Sequence, residues 1–219
     1  MKNKPRYIIV LSILAVVLIF ETIFIIIAPS SVPMHYNIAG QIDRYGSKFE
    51  MLMFPILVLI SGFLSIIFAR RYKNREDFAA EKLALNVGII ITILFTAIDI
   101  LFSVIALTPD FQYDYDFNKL IFVILGVMFI ALCNIMPKSR INSLFGIRTS
   151  WSVSNEKVWQ KSQRFGGYSG VIVGILMILS GIVLPIEFCI AMCLAAVLVW
   201  AILSTVMSYV YFKRFGQFS

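Results

Sequence analysis

The chain has 219 residues, of which 60% are hydrophobic and 14% charged, against about 25% charged in a soluble domain. With a mean hydropathy of +0.89, this excludes a water-soluble globular protein and points to an all-α integral membrane protein. The formal net charge of +7 is not a nucleic-acid signal, because the bases flank apolar runs, where they orient spans in a membrane.

In chain order, six runs approach the roughly 20 apolar residues a spanning helix requires: Tyr7–Ile27, Met51–Ala69, Ala84–Leu107, Lys119–Met136, Tyr168–Leu184 and Phe188–Phe212. The first has a basic start, but its apolar stretch exceeds the roughly 7–15 residues of a signal core and no A-x-A site follows. It is expected to be a retained span. Between alternate spans lie Lys2, Lys4 and Arg6; then Arg70, Arg71, Lys73, Arg75 and Lys82; then Lys138, Arg140, Arg148, Lys157, Lys161 and Arg164; then Lys213 and Arg214. The opposite side holds Arg44, Lys48 and, at a span edge, Lys119. The positive-inside rule therefore places both termini in the cytoplasm. The sequence divides into a two-helix module with its outer loop (1–82), helices three and four (83–136), a cytoplasmic loop (137–167), and a helical hairpin with a basic tail (168–219).

The first outer loop runs from Pro29 to Glu50. Pro29 and Pro33 end the first helix and keep the chain extended, while Asn37, Gly40 and Gly46 are turn residues. His35, the one histidine, reads as a hydrogen-bonded loop anchor, since no second ligand accompanies it. The second outer loop, Thr108–Asn118, holds Asp110, Asp114, Asp116 and four aromatics without a base. Two readings stand for this face: solvated loops obeying the orientation rule, or a docking surface for a cationic amphipathic ligand, with acids such as Asp43 and the three loop aspartates for attraction and Tyr and Phe for apolar or cation–π contact.

Glu21 in the first span and Asp99 in the third are intramembrane acids, which are costly and usually face the bundle interior. Counted from their helix ends at about 1.5 Å per residue, both sit roughly 10 Å below the outer surface. The two acids are therefore expected at one level, as a proton or ligand site or as structural acids. Cys133, Cys189 and Cys193 lie in apolar runs without CxxC spacing. Neither a disulfide framework nor a zinc site is expected. Gly166, Gly170, Gly174 and Gly181 share one face of the fifth helix and are expected to pack within the bundle.

The richest stretch is the polar island from Asn134 to Gly167, between the fourth and fifth spans. Pro137 ends the fourth span, Asn142–Gly146 reads as a turn, and Gly146 permits positive φ. Ser154 or Asn155 can cap a short helix, with Glu156 at its positive end. Val158, Trp159, Ser162 and Phe165 fall on one face, and Lys157, Lys161 and Arg164 toward the other. That pattern predicts a short amphipathic interfacial helix lying flat among lipid headgroups, with Trp159 as anchor. Arg148 stands apart, in a position to brace the loop or bind a partner.

These residues carry a family resemblance. Asn142, the run Gly146-Ile147-Arg148-Thr149-Ser150-Trp151, the run Ser154-Asn155-Glu156-Lys157-Val158-Trp159, and Arg164-Phe165-Gly166-Gly167 resemble the signature of the SdpI family, immunity proteins against a secreted sporulation-delaying peptide toxin. Val32-Pro33-Met34-His35-Tyr36-Asn37 with Gly40 and Asp43 resembles a module of unknown function that often precedes that signature. The basic end, Ser208-Tyr209 through Lys213-Arg214, is similar too. Three positions depart from the family pattern: Ser150 stands where Pro is usual, Ser162-Gln163 where Thr-His is common, and Tyr36 where Trp is usual. The absent His makes a proton relay at position 163 unexpected.

The resemblance implies six spans and two activities: protection from a membrane-active peptide at the outer face, and signalling, in which the occupied protein holds a repressor at the basic loop and so derepresses its own operon. Besides membrane lipid, the toxin and the repressor are the implied partners, with no direct nucleic-acid contact. The alternative is a small proton-coupled transporter or exporter using Glu21 and Asp99. No Ser/His/Asp set, HExxH or phosphate loop appears, so neither an enzyme nor a cofactor is expected.

Overall fold

A computed structural model of the protein describes residues 3–37, 41–108 and 119–216. Six helices among them are long and apolar enough to cross a membrane: α1 (Lys4–Ile27), α2 (Met53–Lys73), α3 (Phe78–Leu107), α4 (Leu120–Ile135), α5 (Glu156–Val183) and α6 (Ile186–Phe215). Their outward faces carry exposed Ile19, Ile26, Ile172, Ile182, Leu194 and Leu198. Their inward faces carry buried Ser65, Thr92, Ser162 and Ser180. Apolar residues outside and small polar residues within are the pattern of helices whose solvent is lipid, so this is a multi-pass membrane protein.

The chain forms two compact units, residues 1–124 and 125–219. In the first, α2 and α3 form an antiparallel pair against which α1 packs. Pro5 opens α1 within its first turn, where its missing N–H costs nothing. Pro29 closes it by holding Ala28 extended (ψ 145°). Asp77 caps α3 by accepting from Ala80 N at 2.9 Å, after a turn in which Glu76 takes positive φ (57°). Small residues set the crossings: a Cβ at Gly62 would overlap Leu14, and one at Gly88 would overlap Ser65.

Beyond α1 the structure adds a β-hairpin to the expected helices. Strands β1 (Ser31–Tyr36) and β2 (Ile42–Ser47) pair antiparallel, with Val32 opposite Gly46 and His35 opposite Arg44. A 3-10 turn, Lys48–Leu52, then leads into α2. The hairpin is not free-standing. Val32 is buried with Phe24 and Ala28 from the end of α1, Met51 from the 3-10 turn and Ala106 from α3.

The second unit is built on α5 and α6, joined through Pro185. Gly126 of α4 and Gly174 of α5 meet so closely that a Cβ on either would strike the other's carbonyl oxygen, at 2.7 and 2.8 Å. Gly170 lies against Cys133 and Trp200, and Gly166 against Ile147. The glycine face is thus spent inside this unit, as expected.

One expectation is corrected. The flat interfacial helix between the fourth and fifth spans is not a separate element. Glu156 opens α5, which continues unbroken to Val183. Trp159, expected as a headgroup anchor, has 0% exposure. The cause is register: Trp159, Gln163, Gly166, Gly170, Gly174, Met177 and Gly181 follow one helical stripe, and all are buried. The face that looked amphipathic on its own is the first third of a continuous packing face.

Candidate functional site

Residues 139–155 of the second unit form a loop, seated on the first turns of α5, whose shape is fixed by side chains bonding to backbone. Asn142 Oδ1 accepts from Leu144 N and Phe145 N, each at 2.8 Å, and its Nδ2 donates to Arg140 O at 2.8 Å. This side chain folds the turn locally, as Asn does where it mimics a backbone turn. Gly146 follows with φ +113°, and a Cβ there would overlap the Gln163 carboxamide. Any other residue at 146 would be strained by its backbone and would also collide with its neighbour.

That carboxamide is the centre of the loop. Gln163, wholly buried, accepts from Ile147 N at 3.0 Å and donates to Ile147 O at 2.9 Å. A planar amide has one acceptor and one donor side by side, so Gln163 clamps a single residue's backbone much as a neighbouring strand would. Ser152 Oγ also donates to Ile147 O, at 2.7 Å, and accepts from Thr149 N at 2.9 Å. Thr149 Oγ1 meets Ser208 Oγ of α6 at 2.9 Å, and the Trp151 ring stands edge-on to Tyr209, 5.1 Å between centroids. Asn155 caps α5 by accepting from Val158 N at 2.9 Å and donates to Phe215 O at 3.3 Å. Trp159 Nε1 donates to Ser139 O at 2.9 Å. Gly166 leaves room for Ile147, and its carbonyl accepts from Trp200 Nε1 at 2.9 Å.

The loop's cations do none of this work. Lys138, Arg140, Arg148, Lys157, Lys161 and Arg164 are all exposed, and Lys157 rests over the Phe215 ring at 4.7 Å. Glu156 is exposed in the first turn of α5, and Phe165 is half-buried. A rigid frame therefore presents a surface of six basic side chains.

In the first unit, the hairpin end carries other expected residues. His35 Nδ1 pairs with Asp43 in the open, and Arg44 pairs with Glu50 at 3.0 Å. Glu50 also accepts from Ser47 N at 2.9 Å, which closes a capping box on the 3-10 turn. Asn37 holds the base of the turn, accepting from Gln41 N at 2.9 Å. Lys48 Nζ donates to Ile25 O at 2.6 Å and Ala28 O at 3.0 Å, setting a cation on the negative end of α1. Gly40, Asp110, Asp114 and Asp116 lie outside the described residues.

Glu21 and Asp99 do meet. Glu21 is 4% exposed and Asp99 0%, and their carboxyl groups come within hydrogen-bonding reach of each other. Among the described residues no other donor reaches any of their four oxygens. Sequence reasoning found this pair by depth. It missed Gln163, because a glutamine replacing a family histidine carries no chemical signal. What would have found it is the buried stripe of α5, on which an uncharged polar residue needs a partner.

Residues 138–208 match the SdpI/YfhL protein family, and residues 8–59 match a domain of unknown function, DUF1648. The chain is similar to Immunity protein SdpI of Bacillus subtilis (strain 168), 24% identical over 211 residues that span 94% of this chain and 96% of the relative. No solved structure matches.

Proposed function

From the match of residues 138–208 to the SdpI/YfhL protein family, we propose that the chain is an immunity protein of the bacterial cell membrane, shielding its cell from a secreted antimicrobial peptide. The observation that carries this reading is the similarity to an immunity protein over nearly the full length of both chains. It takes in the hairpin module as well as the signature loop. Under the positive-inside rule the loop faces the cytoplasm and the hairpin end faces outward. The peptide then docks on the outward side, drawn by Asp43 of the hairpin and by the acidic sequence of the second outer loop, Asp110, Asp114 and Asp116. The loop's six exposed cations, held on a fixed frame, recruit a cytoplasmic repressor and so report occupancy.

The test is survival of a sensitive bacterium, with and without the protein, exposed to a sporulation-delaying peptide and to unrelated cationic peptides, with membrane insertion checked. Protection confined to one peptide is the expected result. Correct insertion without protection from any peptide overturns the reading.

A further inference from the structure

The first unit contains a second polar site, independent of peptide and repressor. Along α3, Thr92, Thr96, Asp99 and Ser103 recur at spacings of four, three and four, which places them on one helical face. Ser61 of α2 meets Thr92 at 3.2 Å, and Glu21 of α1 meets Asp99. Ser103 Oγ, one turn beyond Asp99, is wholly buried and has no hydrogen-bond partner among the described residues.

Ionised, the four carboxyl oxygens are acceptors only, so two facing carboxylates can make no bond between them. Another buried acid in the same unit shows the ordinary solution. Glu81, 3% exposed, accepts from Asn3 Nδ2 at 2.8 Å and from Tyr7 Oη at 3.0 Å. Glu21 and Asp99 have no such donors among the described residues.

The neighbouring elements supply none among the described residues. On α1 the other titratable groups are Lys4, Arg6 and Tyr7, at the far end of the helix. α2 has none between Met53 and Ala69, and α3 has Glu81 and Lys82 at its start. The hairpin and 3-10 turn bring His35, Tyr36, Asp43, Arg44, Tyr45, Lys48 and Glu50. Of these, His35 is engaged with Asp43, Arg44 with Glu50, and Lys48 with the end of α1. The Tyr36 ring lies beside Phe102.

We propose that Glu21 and Asp99, flanked by Ser103, form a proton-binding site that ties α1 to α3 through one shared proton. With the proton in place, one carboxyl donates to the other. Once it leaves, two like charges face each other inside the membrane with no described residue placed to neutralise them. The packing of α1 against α3, and of the hairpin above them, then answers to pH.

The experiment is infrared spectroscopy of the full chain in lipid nanodiscs at neutral pH, reading the carbonyl stretch of a protonated carboxylic acid. The band is expected in the wild type, shifted by isotope-labelled aspartate or glutamate, and absent from Glu21→Gln with Asp99→Asn. Raising the pH should remove the band and speed backbone hydrogen exchange in α1. The double-amide variant, which keeps a donor without a titrating proton, should show no such acceleration. Absence of the band from the inserted wild type at neutral pH overturns the proposal. So does its persistence in the double variant, and so does its disappearance on adding sodium chloride but not choline chloride, which would make the occupant a sodium ion. The wild-type spectra decide the matter even if the double variant fails to insert.

Discussion

The signature loop and the carboxyl pair are both polar groups removed from water, and they treat the problem in opposite ways. In the loop, the buried polar groups at Ser139, Ile147, Ser152 and Gln163 have partners at ordinary distances. In the first unit, Glu21 and Asp99 have only each other among the described residues. A satisfied network specifies one conformation. An unsatisfied acidic pair has a conformation that depends on what it binds. The difference separates a frame built to hold a surface still from an interior built to respond.

The comparison breaks most visibly at Trp159, the largest wholly buried side chain. Trp159→Ala removes an indole from the stripe that welds the loop to α5, and also the donor to Ser139 O. A loss of about 3–5 kcal/mol in unfolding free energy is expected, measured in bicelles, with the loop turning protease-sensitive. If Trp159 were instead a surface anchor, its removal would weaken membrane association and leave the loop resistant.

Converting the pair into an ordinary core is the inverse experiment. Glu21→Met with Asp99→Leu replaces two ionisable groups by apolar side chains of similar size. Buried ionic pairs so replaced are commonly neutral or more stable by about 1–4 kcal/mol, and a gain in unfolding free energy of that order is expected, seen as a higher thermal unfolding temperature. A large fall would mean that the pair is needed to hold the helices together.

Gln163→Leu would give the loop the defect that the carboxyl pair has naturally. Ile147 O keeps its bond from Ser152, but Ile147 N–H is left buried without an acceptor, at a cost of about 1–3 kcal/mol. The change should appear as faster hydrogen exchange at Ile147 and its neighbours, with α6 unaffected.

How much of this was legible beforehand follows from which forces act. The six spans were, because length and hydropathy decide membrane insertion locally. The meeting of Glu21 and Asp99 was, because two spans running in the same direction bring residues at equal depth from their outer ends to one level. The β-hairpin was not. Prolines and turn residues marked an extended loop, but strand pairing depends on the long-range burial of Val32 against α3 and the 3-10 turn. The start of α5 was misplaced because the polar residues of its first turns resembled a separate element. Their inward face is polar too, Ser162 and Gln163 included, and hydropathy cannot distinguish a polar residue in a packed interior from one in water. The same ambiguity hid the role of Gln163.

The smallest stability effect belongs to the exposed cations, and it completes the comparison. Arg148→Ala removes a side chain that is exposed and sits between the clamped Ile147 and the Thr149–Ser208 bond. With both flanking residues held by others, the backbone at 148 keeps its place, and unfolding free energy should change by no more than about 0.5 kcal/mol. What changes is the charge of the exposed face of the loop. Peptide survival should be retained, while binding of a repressor to vesicles carrying the protein should weaken and grow less salt-sensitive, as expected when a screened charge contact is removed. Arg148→Lys should recover only part of the binding, because a lysine offers a point charge where the guanidinium offers a planar fork. Loss of stability in Arg148→Ala would assign the arginine to the frame. Unchanged recruitment, measured on a protein that still protects, would leave the basic surface to the lipid headgroups beside it.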